Sequence, residues 1–269
     1  MFKNILSKRN RVLLSELIRT DFKLRYQGSV LGYLWSLLKP LMLFAILYVV
    51  FTKFLQIGRG IPNYPISLLL GIVLWSFFAE ATSSALKSIV GRGSLIRKMQ
   101  IPKYLIPVAS TVSAFINLIL NLVVVLIFVL FASGTALGIK TVLVFPILLL
   151  ELVVLSLAVG FFLSAMYVRY RDIEHIWDVV KQALFYTVPI IYPLTRIPSE
   201  QIQQIIVLNP LAQIIQDSRA VITYEPTTQI PDLYGSWLPY IVPISLVGVS
   251  ILITSIYFRK RSKTFAEDI

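Results

Sequence analysis

The chain has 269 residues, 57% of them hydrophobic and only 14% charged, with a formal net charge of +12. Soluble domains carry roughly a quarter charged residues, so this chain has more apolar side chains than a water-facing fold can bury, and a membrane protein is implied. It has no cysteine and one histidine, His175, which excludes disulfides, thiolate metal sites and any multi-histidine metal site within one chain.

Residues 1–28 read as an amphipathic interface helix. In 11–25, RVLLSELIRTDFKLR, Leu13, Leu14, Leu17, Ile18 and Phe22 share one side of a helix, while Glu16, Arg19, Thr20 and Lys23 lie away from it. Asp21 and Arg25 have the i, i+4 spacing of a pair. The residues alone suit a lipid anchor on the inner leaflet, with basic side chains near anionic headgroups. Basic residues continue to Arg25 with no small-residue cleavage pattern after a short apolar core, so no cleavable signal peptide is expected. Gly28 permits a change of direction, and Tyr33 and Trp35 suit the interface at the start of the first span.

Six spans are predicted, at about 33–56, 64–86, 105–132, 142–168, 178–194 and 237–258, within a transmembrane domain over 29–263 that ends in a tail at 264–269. With both termini cytoplasmic, nineteen Lys and Arg fall on inner segments and five on outer ones. That asymmetry predicts the orientation and explains most of the net charge. Basic residues sit beside spans rather than on a polar domain, so nucleic-acid binding is not expected. Pro189 and Pro193 predict a kink near the outer end of the fifth span. Between spans five and six, 200–222 is broken at Asn209-Pro210 into two apolar halves, each too short to cross, which suit either two short re-entrant helices dipping into the outer leaflet or an amphipathic loop resting on the outer surface. The expected fold is therefore an all-α integral membrane protein with six spans, an N-terminal interface helix and short re-entrant helices before the last span.

Two acids lie inside spans, Glu80 and Glu151. Intramembrane acids are default places to look for function, and Glu80 is expected to have a partner within the bundle. No catalytic Ser/His/Asp set and no paired carboxylates are evident. The Gly-Arg-Gly triplets at 58–60 and 91–93 lack the following Lys-Ser/Thr of a phosphate-binding loop.

Four stretches carry a resemblance: DFKLRYQGSVLGYLWSLLKPL from residue 21, SLIRKMQIPKYLIPV at 94–108, VRYRDIEHIWDVV at 168–180, and Leu208-Asn209-Pro210-Leu211. In order over nearly the whole chain, they resemble the permease subunits of ABC-2 type exporters, most closely the group exporting polysaccharides and polyol phosphates such as O-antigen, teichoic acid and capsule chains. The resemblance implies a homodimer in the cytoplasmic membrane that binds a separate ATPase. ATP and Mg belong to that partner, and this chain has no cofactor of its own. The implied cargo is a lipid-linked glycan or polyol-phosphate polymer, with membrane lipids as the other contact. Leu17 and Phe22 on the interface helix, and Leu95, Ile96, Arg97 and Met99 in the first inner loop, become candidates for ATPase coupling. So do Arg171, Asp172 and Glu174 in the second. Tyr33, Trp35, Tyr48, Trp75 and Phe78 become candidates to line a conduit, and Asn209 and Pro210 an outer gate. An exporter of a drug or small lipid, or a polytopic glycosyl- or acyltransferase, are the other readings the sequence leaves open.

Overall fold

The computed structural model describes residues 7–26, 32, 34–56, 61, 63–98, 101–131, 138–223 and 227–268, with the side chains of 22–26 and 266–267 outside that description. All regular structure among these residues is helical. Helix α1 spans Lys8–Tyr26, α2 Leu34–Phe54, α3 Tyr64–Gly91, α4 Gly93–Lys98, α5 Leu105–Phe131 and α6 Ile139–Arg169. They are followed by α7 Ile173–Thr187, α8 Glu200–Val207, α9 Pro210–Thr223, α10 Ile230–Tyr234, α11 Ile241–Arg261 and α12 Phe265–Asp268. The last turn and a half of α2, Val49–Phe54, is π-helical.

Five helices are long and apolar enough to cross a membrane: α2, α3, α5, α6 and α11 with its preceding turn from Leu238. Large apolar side chains stand exposed along them, among them Met42, Ile119, Val123, Ile147, Leu150 and Ile253, as lipid requires. The span expected at 178–194 differs. Helix α7 begins earlier and stops at Thr187 after 15 residues, about 22 Å at 1.5 Å per residue, short of the ~30 Å of hydrocarbon. Pro189 ends it rather than bending it. A proline disfavours the helical region for the residue before it, and Val188 is extended at φ −79° and ψ 135°.

Helix α3 is the centre of the bundle, with most of its length buried against α2, α5, α6, α7 and α9. The approach to α6 is close: a Cβ on Gly160 would stand 2.8 Å from the Ala85 Cβ, so the glycine sets the helix separation. The main core collects around α3.

A second cluster closes the end of the bundle where α1 and α12 pack. Here α1 departs from the picture of a helix resting on lipid. Leu17 is buried among Ile89, Ile96 and Ile106, with Leu13, Leu14 and Ile18 packed behind it. Asp21 pairs with Arg92, at the turn between α3 and α4; the side chain of Arg25, its expected i, i+4 partner, lies outside the described residues. The Asn10 amide donates to the Tyr104 hydroxyl at 3.5 Å. The apolar stripe that reads as a membrane anchor is thus the chain's own packing surface. The tail also folds back: Phe265 is buried against Phe258, ring centroids 5.4 Å apart.

At the far end, Asn209-Pro210 breaks the chain into α8 and α9 as the sequence requires. The Asn209 side chain accepts the Leu211 N–H at 2.9 Å, capping α9, and Pro210 takes the first helical position, where no N–H is needed.

Candidate functional site

A groove of about 600 Å³ opens among α2, α3, α5 and α7. Its walls are mostly apolar and carry a set of hydrogen-bonding side chains. Helix α3 contributes Glu80, which accepts a hydrogen bond from the Asn117 amide of α5 at 2.8 Å. One turn on, the Asn121 amide donates to the carbonyls of Asn117 at 2.8 Å and of Ser36 on α2 at 3.1 Å. This ties α2 to α5 behind the groove. On α7, the Lys181 ammonium donates to Ser83 of α3 at 2.7 Å and pairs with Asp178 at 2.8 Å. Lys39 of α2 also lines the groove and is exposed. Two indoles complete the lining: Trp35 is 45% exposed, whereas Trp75 is only 7% exposed.

The expected conduit aromatics therefore divide. Trp35 and Trp75 line the groove. Phe78 does not: it is buried between Trp75, at 5.9 Å between centroids, and Trp177, at 6.2 Å. Tyr48 stacks on Phe44 at 5.8 Å, away from the groove. Tyr33 lies outside the described residues. Sequence reasoning passed over Lys39, Asn117, Asn121 and Lys181. The signal was present in Asn117 and Asn121, two amides four residues apart in an otherwise apolar helix of 27 residues. That spacing puts both on one face, and intramembrane polar groups seek a cavity or a partner.

The coupling candidates also divide. Leu17 and Ile96 are buried in the chain's own second cluster, and Leu95 packs against it. The apolar side of α4 thus faces inward, because the cluster formed by α1, α5 and α6 already covers it. Ser94, Arg97 and Lys98 are what α4 exposes. Met99 lies outside the described residues, as does the side chain of Phe22. Arg171 and Asp172 are exposed in the turn before α7, with the Arg171 guanidinium over the Tyr167 ring at 5.2 Å. Glu174, in the first turn of α7 and ahead of the crossing expected at 178–194, pairs with Lys87 at 2.5 Å and accepts from the Tyr167 hydroxyl at 3.0 Å. The hydrogen bond from Lys87, then that from Tyr167, holds its carboxyl below the usual glutamate value.

At the far end, α9 is buried from Leu211 to Arg219. Its polar side chains Gln213, Gln216, Asp217 and Arg219 are buried within the protein. Asp217 accepts from Gln213, Gln229 and Tyr240, each at 2.8 Å. Arg219 donates to the carbonyls of Ser67 at 3.0 Å, Pro189 at 2.7 Å and Ile190, and to the Gln216 side chain at 3.1 Å. The carbonyls freed where α7 unwinds are thereby satisfied inside the protein, as non-helical backbone at membrane depth must be. Gly71 leaves the room: a Cβ there would meet Arg219 Nη2 at 2.5 Å and the Ile190 carbonyl oxygen at 3.1 Å. Glu151 lies on α6, with one carboxylate oxygen buried and unpartnered. Among the described residues no group of His, Cys, Asp and Glu could hold a metal ion.

Comparison with known proteins gives a consistent result. The family model described as ABC-2 type transporter matches residues 12–223. A Myxococcus xanthus protein named O-antigen export system permease protein RfbA is 28% identical over 96% of both chains. A Klebsiella pneumoniae protein of the same name is 30% identical, over 95% of this chain and 94% of its own. The Escherichia coli polysialic acid transport protein KpsM is 20% identical over 79% of this chain and 81% of its own.

Proposed function

The chain belongs to the ABC-2 type transporter family, and from that membership we propose that it is the transmembrane permease subunit of an ATP-driven exporter of a lipid-linked polysaccharide or polyol-phosphate polymer. The observation that carries this reading is the similarity over nearly the full chain to permeases named for O-antigen export. The groove supports it, since indole rings beside a hydrogen-bonded carboxylate and amides suit the faces and hydroxyls of sugars.

In this reading the end with both termini faces the cytoplasm of a bacterial inner membrane. The part of α7 from position 178 and its unwound continuation to 194 make the sixth crossing. A second copy of the chain faces the groove and completes a conduit, which one bundle is too small to enclose. A separate ATPase carries ATP and Mg and docks on the cytoplasmic end, where Arg97, Lys98, Arg171 and Asp172 are exposed. Asn209 and Pro210 mark the outer exit.

Deletion of this chain should leave lipid-linked glycan trapped inside the cell, and the tagged chain should copurify with an ATPase. Copurification without any retained glycan would move the cargo to the drug or small-lipid class. Absence of an ATPase would remove the exporter reading.

A further inference from the structure

Helix α11 is tied at both ends to elements that do not cross the membrane. At one end the chain turns back after Arg261, and α12 packs on α4 and α6. Phe265 of α12 is buried, its ring 5.4 Å from that of Phe258 on α11, and it shares a cluster with Ile96 of α4. Lys103, beyond the end of α4, stands over the same ring at 5.8 Å and donates to the Ser262 carbonyl. Orienting the span needs only the basic run Arg259, Lys260 and Arg261, which leaves the buried aromatic after it unexplained. At the other end Tyr240, the residue that caps the start of α11, donates its hydroxyl to Asp217 of α9 at 2.8 Å.

Between these ties α11 is 21 residues of unbroken helix, about 31 Å at 1.5 Å per residue. Pro243 falls in its first turn, where no hydrogen bond is lost. Helix α3 also reaches both α4 and α9, but it is packed along most of its length, so an axial shift would drag the bundle with it. Along α11 the buried side chains are Pro243, Val247 and Phe258, its main neighbour is α6, and many of its other side chains are exposed. A helix packed on one side can shift along its neighbour by small sliding movements.

We propose that α11 is a connecting rod that carries displacements of α4, on the ATPase side, to α9 at the outer exit, with Phe265 and Tyr240 as the positioning residues at its two ends. The assignment rests on the reading of α4 as part of the ATPase-docking end and of Asn209-Pro210 as the exit.

The test uses the full chain carrying Asn209→Cys, purified with its ATPase in nanodiscs. It reads how fast a membrane-impermeant thiol reagent labels position 209 with and without ATP. In the chain with no other change, ATP should alter that rate by roughly fivefold or more, the low end of allosteric coupling. Phe265→Ala should remove the response to ATP while ATPase copurification and ATP hydrolysis persist, and Phe265→Leu should keep it. Tyr240→Phe, which deletes only the hydroxyl that Asp217 accepts, should also remove the response and leave hydrolysis intact. A merely destabilised protein would lose hydrolysis and response together. If Phe265→Ala fails to fold, Tyr240→Phe decides the matter. A full response to ATP in either variant overturns the rod. Loss of the ATPase from Phe265→Ala overturns it too, since Phe265 would then do no more than seat α4. If the chain with Asn209→Cys alone shows no response to ATP, the reading of Asn209-Pro210 as the exit fails, and the rod with it.

Discussion

Gly71 shows what a single position controls. Its missing side chain is the space occupied by the Arg219 guanidinium and the Ile190 carbonyl. Gly71→Ala should therefore expel Arg219 from its carbonyl partners and lower stability by about 1–3 kcal/mol, read as a drop in the unfolding temperature of the purified protein. The same variant should make residue 209 more reactive to a membrane-impermeant thiol reagent. That can be measured in Asn209→Cys without interference, because the chain has no cysteine of its own. A fall in stability with no change in reactivity would confine Arg219 to a local role. Glu174 offers a pH test. Its carboxyl is held low by Lys87 and Tyr167, so its stabilising interaction is complete above the ordinary glutamate value of about 4.3. The interaction is lost as pH falls through the lowered value. Lys87→Met should bring the Glu174 titration back up toward the ordinary value, as followed by carbon-detected NMR. An unchanged titration would mean that Tyr167 alone sets it.

At the scale of elements, α1 and α4 separate what a helical wheel can tell from what it cannot. Periodicity located the apolar face of α1 correctly, Leu13, Leu14, Leu17 and Ile18, and on α4 the apolar coupling candidates Leu95 and Ile96 turn inward in the same way. It could not say whether lipid, an ATPase or the chain itself would cover them, because all three bury apolar surface for the same reason. Leu17→Ala should accordingly cost about 2–4 kcal/mol, as a core truncation does, seen in thermal unfolding of the chain without its partner. On α4 the ranking follows exposure. Arg97→Ala combined with Lys98→Ala should reduce ATPase copurification more than Leu95→Ala does, once folded protein is equalised. The reverse order would mean that α4 turns its apolar side outward when the partner binds. The spans flanked by charge were legible for a related reason: long uninterrupted apolar runs have few alternatives. Helix α7 was less so, because Pro189 acts through the residue before it and the carbonyls it frees are met by Arg219, thirty residues away. Nothing local announces that partner. The groove was half legible. Its indoles stand out by type, but Phe78 and Trp75 are three residues apart on α3, and only packing decides which of them reaches open space.

For the molecule as a whole, the most informative feature is the place of α3. It is the most buried of the five long helices and the least hydrophobic. It carries Glu80, Ser67, Thr82 and Ser88 through the middle of the bundle. These side chains are tolerable there because neighbours answer them: Asn117 for Glu80, Thr223 for Ser67, Trp177 for Thr82. During synthesis, however, α3 emerges before α5, α7 and α9 exist to supply those partners. A helix suited to the centre of the finished protein is then the one that lipid alone holds least well. Order of synthesis and order of secure insertion need not coincide. The segment Tyr64–Gly91, tested alone in a microsomal insertion assay, should enter the bilayer less efficiently than Leu105–Phe131. It should improve when α5 is supplied downstream, and Asn117→Leu in that α5 should take away part of the gain.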